Sequence, residues 1–192
     1  MASNPQITSD RIDDVTSDWP EKPAKLAEQL VEKYGTPDEL TSARMFWHDV
    51  GQWKRIQLYR DGTPHNFPKK HEDHLRQTID YPIEPADAEP LLEFDGSNVL
   101  YRTRGELAAD CHKESMNVLT LNLAHEILTG EKTVEEARRA FAETAVKTGM
   151  GEKPPTTQEL QFDVPQGDQG DPDEVLITDE LKRQVKQEMD DR

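Results

Sequence analysis

The chain has 192 residues, with 39 acidic against 23 basic side chains and a formal net charge of −16. A field of that sign opposes general affinity for nucleic-acid backbone or anionic lipid, since both are polyanions. A single cysteine, Cys111, excludes an intrachain disulfide and with it the small stapled folds of secreted proteins.

The longest apolar clustering, Val118 to Leu128, is interrupted by Thr120, Asn122, His125 and Glu126, well short of the ~20 residues a membrane-spanning helix needs. The opening residues, Met-Ala-Ser-Asn-Pro-Gln, have neither the basic nor the apolar region of a leader peptide. These features predict a soluble cytoplasmic protein with no membrane partner. The acidity is concentrated at the ends. Residues 1–18 hold four acids against one arginine, and residues 150–192 hold twelve acids against five bases. Both are read as disordered tails, leaving a single domain over residues 19–149.

Residues 1–18 are rich in Ser, Asp and Asn. From Trp19 to Tyr34, Leu26, Ala27, Leu30, Val31 and Tyr34 recur at helical spacing, with Pro20 and Pro23 at the start and Gly35 as the stop. Thr36-Pro37-Asp38-Glu39 has the form of a capping box on a short turn of helix. Ala43–His48 and Gln52–Tyr59 alternate as strands around the Asp49-Val50-Gly51 turn, which predicts a hairpin. Asp61-Gly62, Pro64 and Pro68 mark a loop, and Leu75–Ile83 alternates as a third strand. Pro85–Phe94 is a short helix closed by Gly96. Val99–Arg102 and Leu107–Cys111 form a second hairpin about Gly105. Met116, Leu119, Leu123, Ala124 and Ile127 make a helical stripe ending at Gly130. Thr133-Val134-Glu135-Glu136 is a capping box opening a further helix through Ala137, Phe141 and Ala145. Residues 150–173 are expected to be disordered and 179–189 to form a short isolated helix, whose Leu181, Val185 and Met189 would suit a docking segment. The sum is an α+β fold: an antiparallel sheet of about five strands, with an N-terminal helix and two C-terminal helices packed on it.

Chemistry concentrates between Arg44 and Arg76. Seven Lys or Arg face four Asp or Glu there, and four of the six histidines lie among Trp47, Trp53, Tyr59 and Phe67. The patch of Trp47, His48, Trp53, Arg55, Tyr59, His65 and Phe67 is read as the surface of a non-enzymatic module that binds an unidentified ligand or protein partner. Arginines beside aromatic rings also suit a nucleotide or single-stranded nucleic acid. Imidazoles at His65, His71 and His74, with Asp73 as the alternative to His65 in closing the set, make a second candidate, a divalent transition-metal site of a hydrolase-like enzyme. The spacing is not that of His-Glu-x-x-His, and extended backbone would send His71 and His74 to opposite faces. Cys111-His112 does not read as a nucleophile with its base, because neighbouring strand residues point apart. It predicts a buried, inert thiol.

Trp19-Pro20-Glu21-Lys22-Pro23, Tyr34-Gly35-Thr36-Pro37-Asp38-Glu39, Trp47-His48, Trp53-Lys54-Arg55, Pro64-His65-Asn66-Phe67-Pro68 and Phe94-Asp95-Gly96-Ser97 together resemble a group of small soluble bacterial proteins with no assigned activity. The resemblance covers Trp19 to Ala145. It implies one folded domain and no particular cofactor or partner.

Overall fold

The computed structural model describes residues 7–165 and 171–190. It is an α+β fold built on a six-stranded antiparallel sheet. In chain order come α1 (Ser9–Thr16), α2 (Glu21–Tyr34), β1 (Glu39–Leu40), β2 (Arg44–Val50), β3 (Trp53–His65), β4 (His71–Asp80), α3 (Pro85–Phe94), β5 (Asn98–Tyr101), β6 (Glu106–Cys111), α4 (Glu114–Leu128), α5 (Val134–Gly149) and α6 (Asp179–Asp190). The strand order is β1-β2-β3-β4-β6-β5. The second hairpin therefore joins the first three-stranded unit through β6 and leaves β5 at the edge.

Helix α2 buries Leu26, Ala27 and Leu30 against β2 and β3. It stops at Gly35, whose φ of 82° is open to glycine at little cost. The indole of Trp47 donates to the Gly35 carbonyl at 2.9 Å, tying the helix end to the sheet. Helix α4 lies on β4 and β6, and α5 packs on α4 and α3. The capping box of α5 forms as its sequence spells it, with Thr133 and Glu136 exchanging side-chain and backbone bonds.

Four expectations are corrected. Thr36–Glu39 does not open a helix: Asp38 N–H bonds the Phe46 carbonyl and Glu39–Leu40 pair with β2, so sheet pairing overrides a local signal. Of the stretch read as a loop after Tyr59, only residues 66–70 around Pro68 are a turn; Asp61, Gly62 and Pro64 lie in strand, and β3 and β4 run on to a pair between His65 and His71. A register shift between Leu58 and Thr63 absorbs Asp61-Gly62. Because β2 ends opposite Tyr59, Pro64 lies where β3 has a partner on one side only. Residues 9–16 form a helix rather than a disordered tail, with Ile12 buried in the core. Residues 150–165 are packed too: Asn122 donates to the carbonyls of Thr156 and Glu159 and accepts from Gln161 N–H, while Leu160, Phe162 and Val164 rest on the core. An Asn on α4 thus recruits a polar segment that composition alone marks as loose. Residues 1–6, 166–170 and 191–192, also assigned to tails, lie outside the described residues. Helix α6 is present and fully exposed.

No helix among the described residues is long and apolar enough to cross a membrane.

Candidate metal centre

One end of the sheet gathers the last residue of β3, the first of β4, the last of β6 and the turn before β5. Onto this end project His65, His71, Asp73, Asp95, Ser97, Cys111 and His112. The arrangement follows from the strand register: His65 is opposite His71, and Leu75 is opposite Cys111. Alternation then sets His71 and Asp73 on the Leu75 side of β4. At Cys111 the strand ends and the chain bends, which frees His112 from strand alternation and swings its ring back.

The sulfur of Cys111 lies 3.5 Å from His71 Nε2 and 3.4 Å from His112 Nδ1. The His71 and His112 rings are 4.7 Å apart between centroids. His71 Nδ1 is 2.8 Å from the Lys69 carbonyl. A carbonyl only accepts, so Nδ1 carries a proton and Nε2 is the nitrogen that points inward. Nε2 also lies at ion-pair distance, 2.9 Å, from Asp73 Oδ1, on a side chain only 4% exposed, although no aligned hydrogen bond reaches that oxygen.

The other oxygen of Asp73 is fully engaged. Ser97 Oγ donates to Asp73 Oδ2 at 2.6 Å, and having spent its one hydrogen it accepts from His65 Nδ1 at 3.1 Å. His65 Nε2 stands 3.4 Å from Asp95 Oδ1, which also accepts from Ser97 N–H. Burial pushes the Asp95 carboxyl above its usual range despite the Ser97 amide and the neighbouring histidines. Burial likewise drives the Cys111 thiol up to about 12, with Asp73 adding to the shift and the backbone amides of His112 and Lys113 opposing it. His112 is pushed down to about 4 by burial and by the nearby cationic groups.

Two sets of three donors, each with all ligand atoms within 4.8 Å of one another, meet here: His71, Cys111 and His112, and His65, His71 and Asp73. Both require His71 Nε2. One lone pair serves one ion, so the sets are alternatives. In the second, His65 Nδ1 is occupied as a donor to Ser97. In the first, each imidazole nitrogen already faces the sulfur.

The residues singled out in the sequence are divided among five places. Of the three histidines, His65 and His71 come together, with ring centroids 5.0 Å apart. His74 does not join them: its ring packs over Gly62, and Nδ1 faces the Tyr59 carbonyl at 3.1 Å, because it alternates away from His71 and Asp73 along β4. Trp47 and Trp53 are core side chains, 1% and 2% exposed. The Trp53 indole N–H donates to Tyr34 Oη and Glu114 Oε1, and burial leaves neither tryptophan a ring face open to a ligand. His48, Arg55 and Tyr59 alternate to the other face of the sheet. There His48 pairs with Glu39, Arg55 with Glu106, and Tyr59 lies under the guanidinium groups of Arg44 and Arg76. Arg76 is itself held by both oxygens of Asp110. Phe67 is packed between Phe94 and Phe141 with Arg138 over its ring.

Cys111, His112, Asp95 and Ser97 were not picked out as ligands or partners from the sequence, whereas Asp73 was named as a possible ligand beside His71. The available signal was a Cys-His pair at the end of a predicted strand, where alternation ceases to apply. No protein-family model, curated protein or solved structure matches the chain.

Proposed function

We propose that this protein binds a divalent transition metal through His71, Cys111 and His112, with Asp73 supplying negative charge beside the ion. The observation that carries the reading is the spacing of the donors. For metal–sulfur and metal–nitrogen bonds of about 2.3 and 2.1 Å at a tetrahedral angle, the donor atoms stand about 3.6 Å apart. The sulfur lies 3.5 and 3.4 Å from the two nitrogens. Two further features support it. The Lys69 carbonyl fixes the His71 tautomer, as outer partners of ligating histidines do. The buried Asp73 Oδ1, 2.9 Å from His71 Nε2, brings negative charge to the same point, which favours a cation there.

Thiolate and imidazole donors select zinc and its neighbours over magnesium or calcium. Three protein ligands leave a fourth position for water, the arrangement in which zinc generates hydroxide near neutral pH. The chemistry this supports is metal-assisted hydrolysis or addition of water. A reduced thiol ligand also suits a cytoplasmic location.

Elemental analysis of untagged protein incubated with zinc and then desalted tests the reading. The expected result is about one ion per chain, lost in Cys111→Ser and in His71→Ala and retained in His65→Ala. Wild-type protein that emerges free of metal overturns the proposal. Retention in Cys111→Ser together with loss in His65→Ala transfers the ion to the alternative set.

A further inference from the structure

All three donors border one small cavity of about 70 Å³, closed by Pro68, Lys69, Lys113, Met116 and the last turn of α5 at Thr148. A water needs roughly 10–15 Å³ of such space, so the cavity admits a group of a few heavy atoms and no more. Its rim is cationic. Lys69 and Lys113 both line it, and neither is in an ion pair among the described residues.

The charges decide what the cavity would take. A divalent ion with the Cys111 thiolate and the Asp73 carboxylate is neutral as a unit, so the sign at the mouth is set by the two lysines. Asp95, if ionised, still leaves an excess of positive charge. The C-terminal end of α5 opposes an anion, but with about half an elementary charge against two. On the other wall the cavity meets the start of α4, where no side chain caps the helix and Lys113 occupies the N-cap position.

We infer that the open position of the metal takes a small oxyanion, of carboxylate or inorganic-phosphate type, clasped at the rim by Lys69 and Lys113. This rests on the metal reading above. The ligand's oxygen would occupy the fourth coordination position in place of water, and its remaining negative charge would face the ammonium groups. A neutral analogue of the same shape lacks the second interaction.

The test uses full-length protein loaded with cobalt(II), whose visible spectrum reports the coordination shell, titrated separately with acetate, inorganic phosphate and acetamide. Acetate, phosphate or both are expected to shift the cobalt bands, with acetamide inactive. Replacing both lysines, Lys69→Gln with Lys113→Gln, is expected to weaken the responding anion on the order of tenfold while leaving cobalt affinity in place. Raising the salt concentration is expected to weaken it in the wild type more than in the double variant. Both lysines are exposed, so the variant should keep its fold, which circular dichroism checks. A cobalt-loaded protein that ignores both anions, answers acetamide equally, or is indifferent to the lysine changes overturns this inference and leaves the metal reading standing. A protein that takes up no cobalt overturns both.

Discussion

Phe141→Ala is the substitution that most directly connects the core to the metal centre. The ring is 1% exposed and lies 5.1 Å from Phe67 and 6.3 Å from Phe94, centroid to centroid. Phe67 belongs to the turn between His65 and His71, and its other face is covered by the Arg138 guanidinium at 4.3 Å. Arg138 in turn donates to the carbonyls of Glu93 and Phe94, so α5 holds both the turn and the end of α3. Removing the ring empties a fully enclosed site, and truncations of this kind cost about 3–5 kcal/mol. For a chain of this length each kcal/mol moves the melting temperature by about 2–4 °C, giving a fall of about 6–20 °C. Phe141→Leu retains much of the volume and should cost about 1–1.5 kcal/mol. It provides a folded variant if the alanine form proves too unstable. Thermal unfolding followed by circular dichroism gives the first reading. Zinc affinity gives the second, expected to drop by about tenfold or more, because the turn carrying His71 loses its support. An alanine variant that melts within about 2 °C of the wild type would refute the reasoning, since it would mean that the phenylalanine cluster neither closes the core nor anchors the turn.

Truncation separates the packed part of the C-terminal region from the rest. A chain ending at residue 165 should melt close to the full-length protein, because α6 buries nothing and the Arg102–Asp173 pair is exposed. A chain ending at residue 149 loses the partners of the buried Asn122, which alone costs about 1–3 kcal/mol; equal melting of the two chains would contradict this. Gly62→Ala places a Cβ 2.6 Å from His74 Cε1 and 2.9 Å from Glu72 Cβ, and the forced movement should cost about 1–3 kcal/mol. Metal occupancy should not change, since His74 is outside both donor sets; a lost ion with a preserved fold would say otherwise. Glu106 gives a pH dependence. Burial alone would raise its carboxyl, but the Arg55 hydrogen bond and charge, with Lys54, outweigh that and hold it below its usual range. A depressed carboxyl stabilises the fold fully above its unfolded value of about 4.3 and loses that contribution as the pH falls through the lowered folded value. Urea midpoints of wild type and Glu106→Gln should therefore converge on acidification, and a gap constant from neutral pH to about pH 3 would dispose of the assignment.

The elements that local physics dictates were legible in the sequence. Helix α2 with its Gly35 stop, the α5 capping box, the β2–β3 turn and the β5–β6 hairpin each depend on residues close together in the chain, whose spacing and turn chemistry act before any tertiary contact. The candidate site was legible only in part. Its region was marked by the histidines between β3 and β4, and His65 and His71 do converge, but His74 alternates to the opposite side. The aromatic residues that drew attention to the same stretch are largely core, as their size favours.

Composition and periodicity determined that this chain builds an α+β domain with an antiparallel sheet, because burial periodicity and turn chemistry are properties of short segments. Tertiary structure decided which strand lies beside which, and thereby that Cys111 and His112, about forty residues beyond His71, come to lie against its ring. That pairing depends on sheet register and on a strand ending one residue before a histidine. Both are set by long-range packing, and neither leaves a periodic trace in the sequence.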